Sequence, residues 1–290
     1  MELKYLKTNN KYNTVRQVLS QEFKISSRLT LKLKKVNQIL LNDIPTYLDN
    51  HIKLNDIVCI NLDFVEDNSN VVPTKMNLHI LFEDDAILVI DKPAGIPIHP
   101  SMDHYSDSLS NGVRFYFDSI GLKRKIRPVN RLDRNTSGIV IFAKNEYIQE
   151  CLINQMKNND FKKEYIALCA GRFDTASETL NFPIARKANS IIERQVDKNG
   201  QNAVTQYNVI SEKNGITKLQ VNLLTGRTHQ IRVHMAYIGH PLLGDDLYGT
   251  SSPLINRQAL HAYKVNFIHP LTKKIITIKS ELPKDMNLNF

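Results

Sequence analysis

Five consecutive apolar residues, Ile139-Val140-Ile141-Phe142-Ala143, follow directly on a twelve-residue segment, 127–138, that carries four charges. The run has no polar alternation and is too short to fill a helix, so it reads as a strand buried on both faces. A strand of that kind needs packed layers above and below it. From residue 78 onward the surrounding pattern agrees. Ile87 to Ile90 reads as a strand ending in the turn Asp91-Lys92-Pro93-Ala94-Gly95. Tyr165, Ala167 and Cys169 alternate with Ile166, Leu168 and Ala170 in a strand closed by Gly171, and Leu219, Val221 and Leu223 alternate likewise. Asn145 can cap a helix carrying Ile148, Cys151, Leu152 and Met156; Arg227 to Ile238 reads as a helix stopped by Gly239, with Pro241 beyond it. Many short strands at unequal spacing, with few helices, predict an α+β domain around a large, mixed, mostly antiparallel sheet.

Ahead of this domain, residues 12–62 read as a small α+β unit. Thr14 can cap a short helix with Val15, Val18, Leu19 and Phe23 on one face, and Ser26 or Ser27 a second through Leu29, Leu33 and Val36. Short strands follow: Gln38 to Leu41, a turn at Asn42-Asp43, and Ile57 to Leu62 after Asn55-Asp56. Two basic helices and a small hairpin resemble the alpha-L RNA-binding domain, also found in a small-subunit ribosomal protein. Ile25-Ser26-Ser27-Arg28, Leu41-Asn42-Asp43-Ile44-Pro45 and Leu54-Asn55-Asp56-Ile57-Val58 carry that resemblance; Asp43 and Asn55 stand where the domain usually has glycine. The segment 65–77 is polar, contains a proline and has no periodicity, so it reads as a linker. The expected division is therefore 1–64, 65–77 and 78–290.

Charge concentrates in the first unit. The chain's net charge is +9, and between Lys4 and Lys35 nine basic residues face one acid, Glu22. One-signed charge at that density predicts a polyanion partner, because neutralised phosphates release counterions. A membrane surface fits less well, since no bulky apolar stripe extends beyond one short helix. The hydrophobic fraction of 42% suffices for a core, yet no apolar run approaches the ~20 residues of a membrane span. Met1-Glu2-Leu3-Lys4 does not open a secretory signal, and three scattered cysteines, Cys59, Cys151 and Cys169, suit reduced thiols. A cytoplasmic monomer that binds RNA is expected.

The chemistry concentrates in Arg127-Pro128-Val129-Asn130-Arg131-Leu132-Asp133-Arg134-Asn135-Thr136-Ser137-Gly138. Guanidiniums on either side of Asp133 favour its ionised form, as a nucleophile or base requires. An Asp–Arg pair that only ties a loop would look the same. The whole string, however, closely resembles the catalytic motif of the RluA family of pseudouridine synthases, His-Arg-Leu-Asp-x-x-Thr-Ser-Gly. Further blocks stand in that family's order: Asp91 to Pro100, Lys163-Glu164-Tyr165-Ile166-Ala167, Leu224 to Met235, Gly239 to Gly249, Leu260-His261-Ala262 and His269-Pro270-Leu271-Thr272. Asn130 replaces the motif's histidine. An amide reproduces the hydrogen bonding of a neutral imidazole but carries no proton at neutral pH, so Asn130 reads as a structural variant.

The resemblance implies an RNA pseudouridine synthase acting on structured RNA, with large-subunit ribosomal RNA favoured over transfer RNA and no cofactor. Asp133 would be the essential carboxylate, Arg232 its bidentate partner, and Tyr165 the residue that stacks on uracil and accepts the carbon-5 proton. Arg131, Arg134, Thr136, Lys92, Arg227 and His229 are expected to contact RNA around the site. Arg28, Lys32 and Lys35 would do so from the first unit. Lys123, Arg124, Lys125 and Arg127 form a second basic run suited to flanking phosphates. Two other classes are weighed: a catalytically silent RNA-binding or ribosome-assembly factor, which Asn130 alone would favour, and a metal-dependent hydrolase. Against the latter, His229 and His234 are five apart rather than at the four-residue spacing of a zinc pair, so no metal is expected. These two, with His240, read as hydrogen-bonding, RNA-facing residues. Asp245-Asp246, after Gly244, read as turn formers.

Overall fold

The computed structural model describes residues 1–288 of the chain. Thr14 caps α1 (Val15–Gln17) in a capping box with Gln17, and the helix runs on as a π-turn over Val18–Glu22, burying Val15, Val18 and Leu19. Ser26 caps α2 (Ser27–Lys35), which buries Leu29 and Leu33. Val36, expected on that face, instead ends the helix and is exposed. Four strands complete the unit: β1 (Glu2–Leu6), β2 (Ile39–Leu41), β3 (Ile44–Pro45) and β4 (Ile57–Asn61), in the order β1-β4-β2-β3. β1, absent from the sequence reading, pairs with β4 over its whole length. Asn42, Asp43 and Asn55 occupy the left-handed region at φ of 50°, 64° and 71°. Asn and Asp tolerate that region better than other side chains do, so both turns close without the glycines usual there.

Residues 65–77 contain no helix or strand, but they are tied down. Glu66 accepts two 2.6 Å bonds from the Nη groups of Arg127, and Asn68 donates to the Arg124 carbonyl at 2.7 Å. The basic run before the catalytic loop is therefore partly engaged inside the protein: Arg127 is buried on Glu66, and Arg124 pairs with Asp63 at 2.5 Å. Both depart from the expected role as phosphate contacts. Glu146 lies 3.7 Å from Arg127 and also pairs with Lys32, while Ser26 donates to Glu150 at 2.6 Å. Apolar contacts make the same junction. A single buried cluster runs from Val15, Leu19, Leu29 and Leu33 to Ile141, Ile148 and Leu152. The change at residues 65–77 is one of architecture, with no break in packing.

The remaining chain builds one nine-stranded sheet: β5 (His79–Glu83), β6 (Ile87–Lys92), β7 (Ser137–Ala143), β8 (Lys162–Ala170), β9 (Ser177–Asn181), then, beyond a small two-stranded ribbon of β10 (Ile184–Arg186) and β11 (Arg194–Val196), β12 (Val204–Lys213), β13 (Ile216–Leu223), β14 (Leu260–Ile268) and β15 (Ile275–Lys279). The order is β5-β6-β7-β14-β8-β13-β12-β9, with β15 also on β14. Every pairing is antiparallel except β7 with β14, a parallel seam of two partners, Ser137 with His261 and Gly138 with Ala262. β7 is buried throughout, as its sequence requires. Ile139, Ile141 and Ala143 pack with α4 (Glu146–Lys157) on one face. Val140 and Phe142 pack on the other with α3 (Leu109–Ser119), a helix the sequence reading left out. The last α-helix, α5 (Gln230–Tyr237), begins three residues later than predicted and sets Ile231 and Met235 against Tyr165, Ala167 and Val221.

The Glu66–Arg127 pair gives a pH signature. Burial alone would raise the Glu66 carboxyl, but the hydrogen bonds and charge of Arg127 outweigh it and hold the group below its ordinary value. A depressed carboxyl contributes stability above its unfolded value of about 4.3 and loses it as pH falls through the folded value. Glu66→Gln should therefore cost about 2–3 kcal/mol at pH 7. The gap from wild type should close as unfolding is measured toward pH 3.

Candidate active site

Asp133 sits on the loop that leads into β7, at a cavity of about 390 Å³. Buried donors hold that loop on both sides of the aspartate. Before it, the Asn130 amide donates to the Ile139 carbonyl and accepts from the Ile141 N–H, each at 2.9 Å, so Asn130 acts as an extra rung of β7. After it, Lys92 is fully buried and donates to the carbonyls of Pro93, Ile96 and Arg134, each at 2.9 Å. Arg257 donates to the Asn135 carbonyl at 3.2 Å while its other edge is held by Asp285. Lys92 is thus a loop clamp, not the RNA contact expected. Burial, with Arg257 nearby, pushes its pKa down to about 7, while the three carbonyls favour the charged form. Gly138 ends the loop at φ 109°, where a Cβ would lie 2.3 Å from the Ala262 carbonyl oxygen. Only glycine allows the parallel seam to close there.

Arg232, on α5, brings Nη1 to 3.3 Å from Asp133 Oδ2. The pairing is single, not the bidentate fork predicted. Nε and Nη2 of Arg232 belong to Asp245, at 2.8 and 2.7 Å, and Asp245 is fully buried. Asp245 Oδ1 also accepts the N–H groups of Leu247 and Tyr248, at 3.1 Å each. The residue read as a turn former therefore aims the arginine. Burial would lower the Arg232 pKa, but Asp245 and Asp133 outweigh it and the net shift is upward. The Tyr248 ring lies 5.0 Å from the guanidinium carbon, a cation–π contact. Its hydroxyl is 2.8 Å from His229 Nδ1, and it accepts from the Arg194 N–H at the same distance. His229 takes a left-handed φ of 57° at the cap of α5, with Nε2 3.9 Å from Asp133 Oδ1. Burial lowers its pKa, against the pull of Asp133, which favours a neutral ring.

Tyr165, on β8, lines the same cavity. Burial first, and the Asp133 charge second, push its phenol well above the ordinary range, so it is a neutral phenol at physiological pH. Arg131, Thr136, Arg227 and His229 also line the cavity, although Thr136 is buried and its hydroxyl accepts from Gln258. Arg134 is exposed, 3.4 Å from His104 Nε2. His234 and His240 face inward: His234 bonds Thr205 and Phe182, and His240 bonds Ala170 and stacks on Phe173. In the first unit, Lys32 is ion-paired with Glu146, contrary to its expected place on RNA, while Arg28 and Lys35 are exposed.

Comparison with known proteins gives this arrangement its class. A model of the RNA pseudouridylate synthase family matches residues 86–237, a span that contains Asp133, Tyr165 and Arg232. The chain belongs to that family, in its RluA branch, and is an isomerase acting on RNA. It is 40% identical over 271 residues to the uncharacterized RNA pseudouridine synthase YhcT of Bacillus subtilis, covering 93% of this chain and 89% of YhcT. It is 34% identical to the ribosomal large subunit pseudouridine synthase D of Blochmanniella floridana, covering 81% and 78%. Among solved structures, human RNA pseudouridylate synthase domain containing 1 superposes with a TM-score of 0.59 at 25% identity, over 71% of this chain and 83% of that one.

Asp245→Asn keeps the shape of the arginine's partner and removes its charge. Single-turnover isomerisation should fall by about two orders of magnitude, roughly 2.7 kcal/mol of transition-state stabilisation, with RNA affinity within about twofold of wild type. An unchanged rate in a folded variant would mean that Arg232 is aimed by packing alone.

Proposed function

We propose that the chain isomerises uridines of large-subunit ribosomal RNA in this cavity, in the cytoplasm, as a monomer without a metal, and that Asp133 is the essential carboxylate. The observation that carries the assignment is that Asp133 is the one carboxylate among the described residues lining the cavity, with Arg232 held against it. Five relatives, 32–37% identical, bear the name ribosomal large subunit pseudouridine synthase D, which supports the choice of RNA.

The reaction breaks the bond from ribose carbon 1′ to uracil nitrogen 1, turns the base and joins carbon 1′ to carbon 5. The carbon-5 proton leaves, and nitrogen 1 gains one. A base stacked in a helix cannot reach Asp133, so the nucleotide must flip out. Asp133 attacks the nucleotide or takes a proton from its sugar, beside the fixed positive charge of Arg232. Tyr165 stacks on the uracil. Because burial holds it as a phenol, it serves the last step as a relay, passing its own proton to Asp133 as it receives the one from carbon 5. The first unit would hold structured RNA through the exposed cations Lys24, Arg28, Lys34 and Lys35, an alpha-L role.

The test is tritium release from carbon-5-labelled ribosomal RNA. Wild-type protein should release tritium, and Asp133→Asn should reduce release at least a thousandfold while binding RNA as before. Release at the wild-type rate from Asp133→Asn would remove Asp133 from the chemistry. No release by the wild type would favour a silent RNA-binding factor.

A further inference from the structure

Beside the catalytic cavity lies a second one, of about 410 Å³, between the β10–β11 ribbon and the loop before α5. Its lining includes three arginines, Arg186, Arg194 and Arg227, and no acid. Gly226, Arg227 and Thr228 line both cavities, so the two adjoin. Gly226 stands at the join. A Cβ there would lie 3.5 Å from the Nζ of Lys163, which places a fourth cation at the passage.

The arginines concentrate one sign of charge at this cavity, with Arg194 half-buried and Arg186 and Arg227 exposed. Arg186 and Arg194 are directly opposed in the antiparallel ribbon. Like charges in that register repel and destabilise a two-stranded ribbon unless a counter-charge lies between them. Arg194 Nη1 is held by the carbonyls of Ile192 and Glu193 at 2.9 Å, which fixes its position. Arg227 bonds the Asn202 carbonyl through Nε. Among the described residues, neither the Arg186 guanidinium nor the Nη groups of Arg227 have a hydrogen-bond or ion-pair partner. A strand entering the catalytic cavity at Asp133 would leave it past Gly226, where its backbone charge meets these cations.

We propose that this second cavity is a subsite for a backbone phosphate of the RNA strand flanking the target uridine, held by Arg186 and Arg227. The inference rests on the assigned activity, since the flank is defined by the uridine at Asp133. Phosphate contact supplies affinity and register without reading sequence, so the subsite would place the flipped nucleotide against Asp133 in any sequence context.

The probe is a synthetic ribosomal-RNA stem-loop selected by its binding to the protein, made with single neutral methylphosphonate linkages around each loop uridine and assayed in parallel for tritium release. Arg186→Gln should weaken binding roughly three- to tenfold and lower the slope of log affinity against log salt by ~0.7, with Arg186→Lys restoring the slope. One methylphosphonate near the target should weaken wild-type binding by a similar factor and add nothing in Arg186→Gln, the coupling expected of two partners in one contact. An unchanged slope, or additive losses at every linkage, would overturn the subsite. Coupling without tritium release would keep the subsite and overturn the activity instead.

Discussion

The loop that carries Asp133 is held by buried charge acting on main-chain carbonyls. Lys92 reaches the carbonyl of Arg134 and Arg257 that of Asn135, the two residues that follow the aspartate. Backbone carbonyls need partners, and two of the donors here are cations supplied by distant parts of the chain, joined at Arg134 by the Gly95 N–H at 2.9 Å. On the other side, Asn130 bonds two backbone groups of β7. Asp133 is thereby fixed by its neighbours' main chain, and its side chain remains open to the cavity. The sheet depends on the same loop, because Gly138 closes the parallel seam that brings β14, and through it β8 with Tyr165, alongside β7.

The charge pattern of the first unit changes meaning once folded. Nine basic residues with a single local acid suggest a uniformly phosphate-seeking surface, yet Glu2, Asp49 and Glu146 are brought from outside the segment to Lys4, Arg16, Arg28 and Lys32. Lys7 is buried on the Ile52 carbonyl. Pairs at the solvent surface are weak and screened by salt, so Arg16 and Lys4 stay available to a polyanion. The Glu146 pair with Lys32 is different, being half-buried at the junction with α4. Since α4 leads into β8, the small unit is braced against the element that delivers Tyr165.

What the sequence reveals and what it hides divide on a physical line. Local patterns are legible: the doubly buried β7, the caps at Thr14, Ser26 and Asn145, and the mostly antiparallel sheet all follow from periodicity and short-range hydrogen bonding. The motif around Asp133 is legible because its residues are contiguous. Partnerships across the chain are not. Asp245 meets Arg232, Glu66 meets Arg127, and Lys92 meets Arg134 only after folding, so each looks in sequence like a turn former, a linker acid or a free cation. β1 and the β10–β11 ribbon were also hidden, because short strands declare themselves through partners rather than composition. One clue to Asp245 was present: an acid in the block directly following the helix that bears Arg232.

An arginine whose two better hydrogen bonds are already committed to Asp245 is a loose companion for Asp133. A fork-to-fork clamp would have to be broken at both prongs before the carboxylate could turn toward a ribose or a base. Here a single 3.3 Å contact is at stake, and Arg232 need not move, since Asp245 and the Tyr248 ring retain it. The guanidinium therefore works as a fixed electrode: it supplies a constant positive field while leaving the carboxylate free to pivot, so exchanging one partner for another disturbs little else in the site.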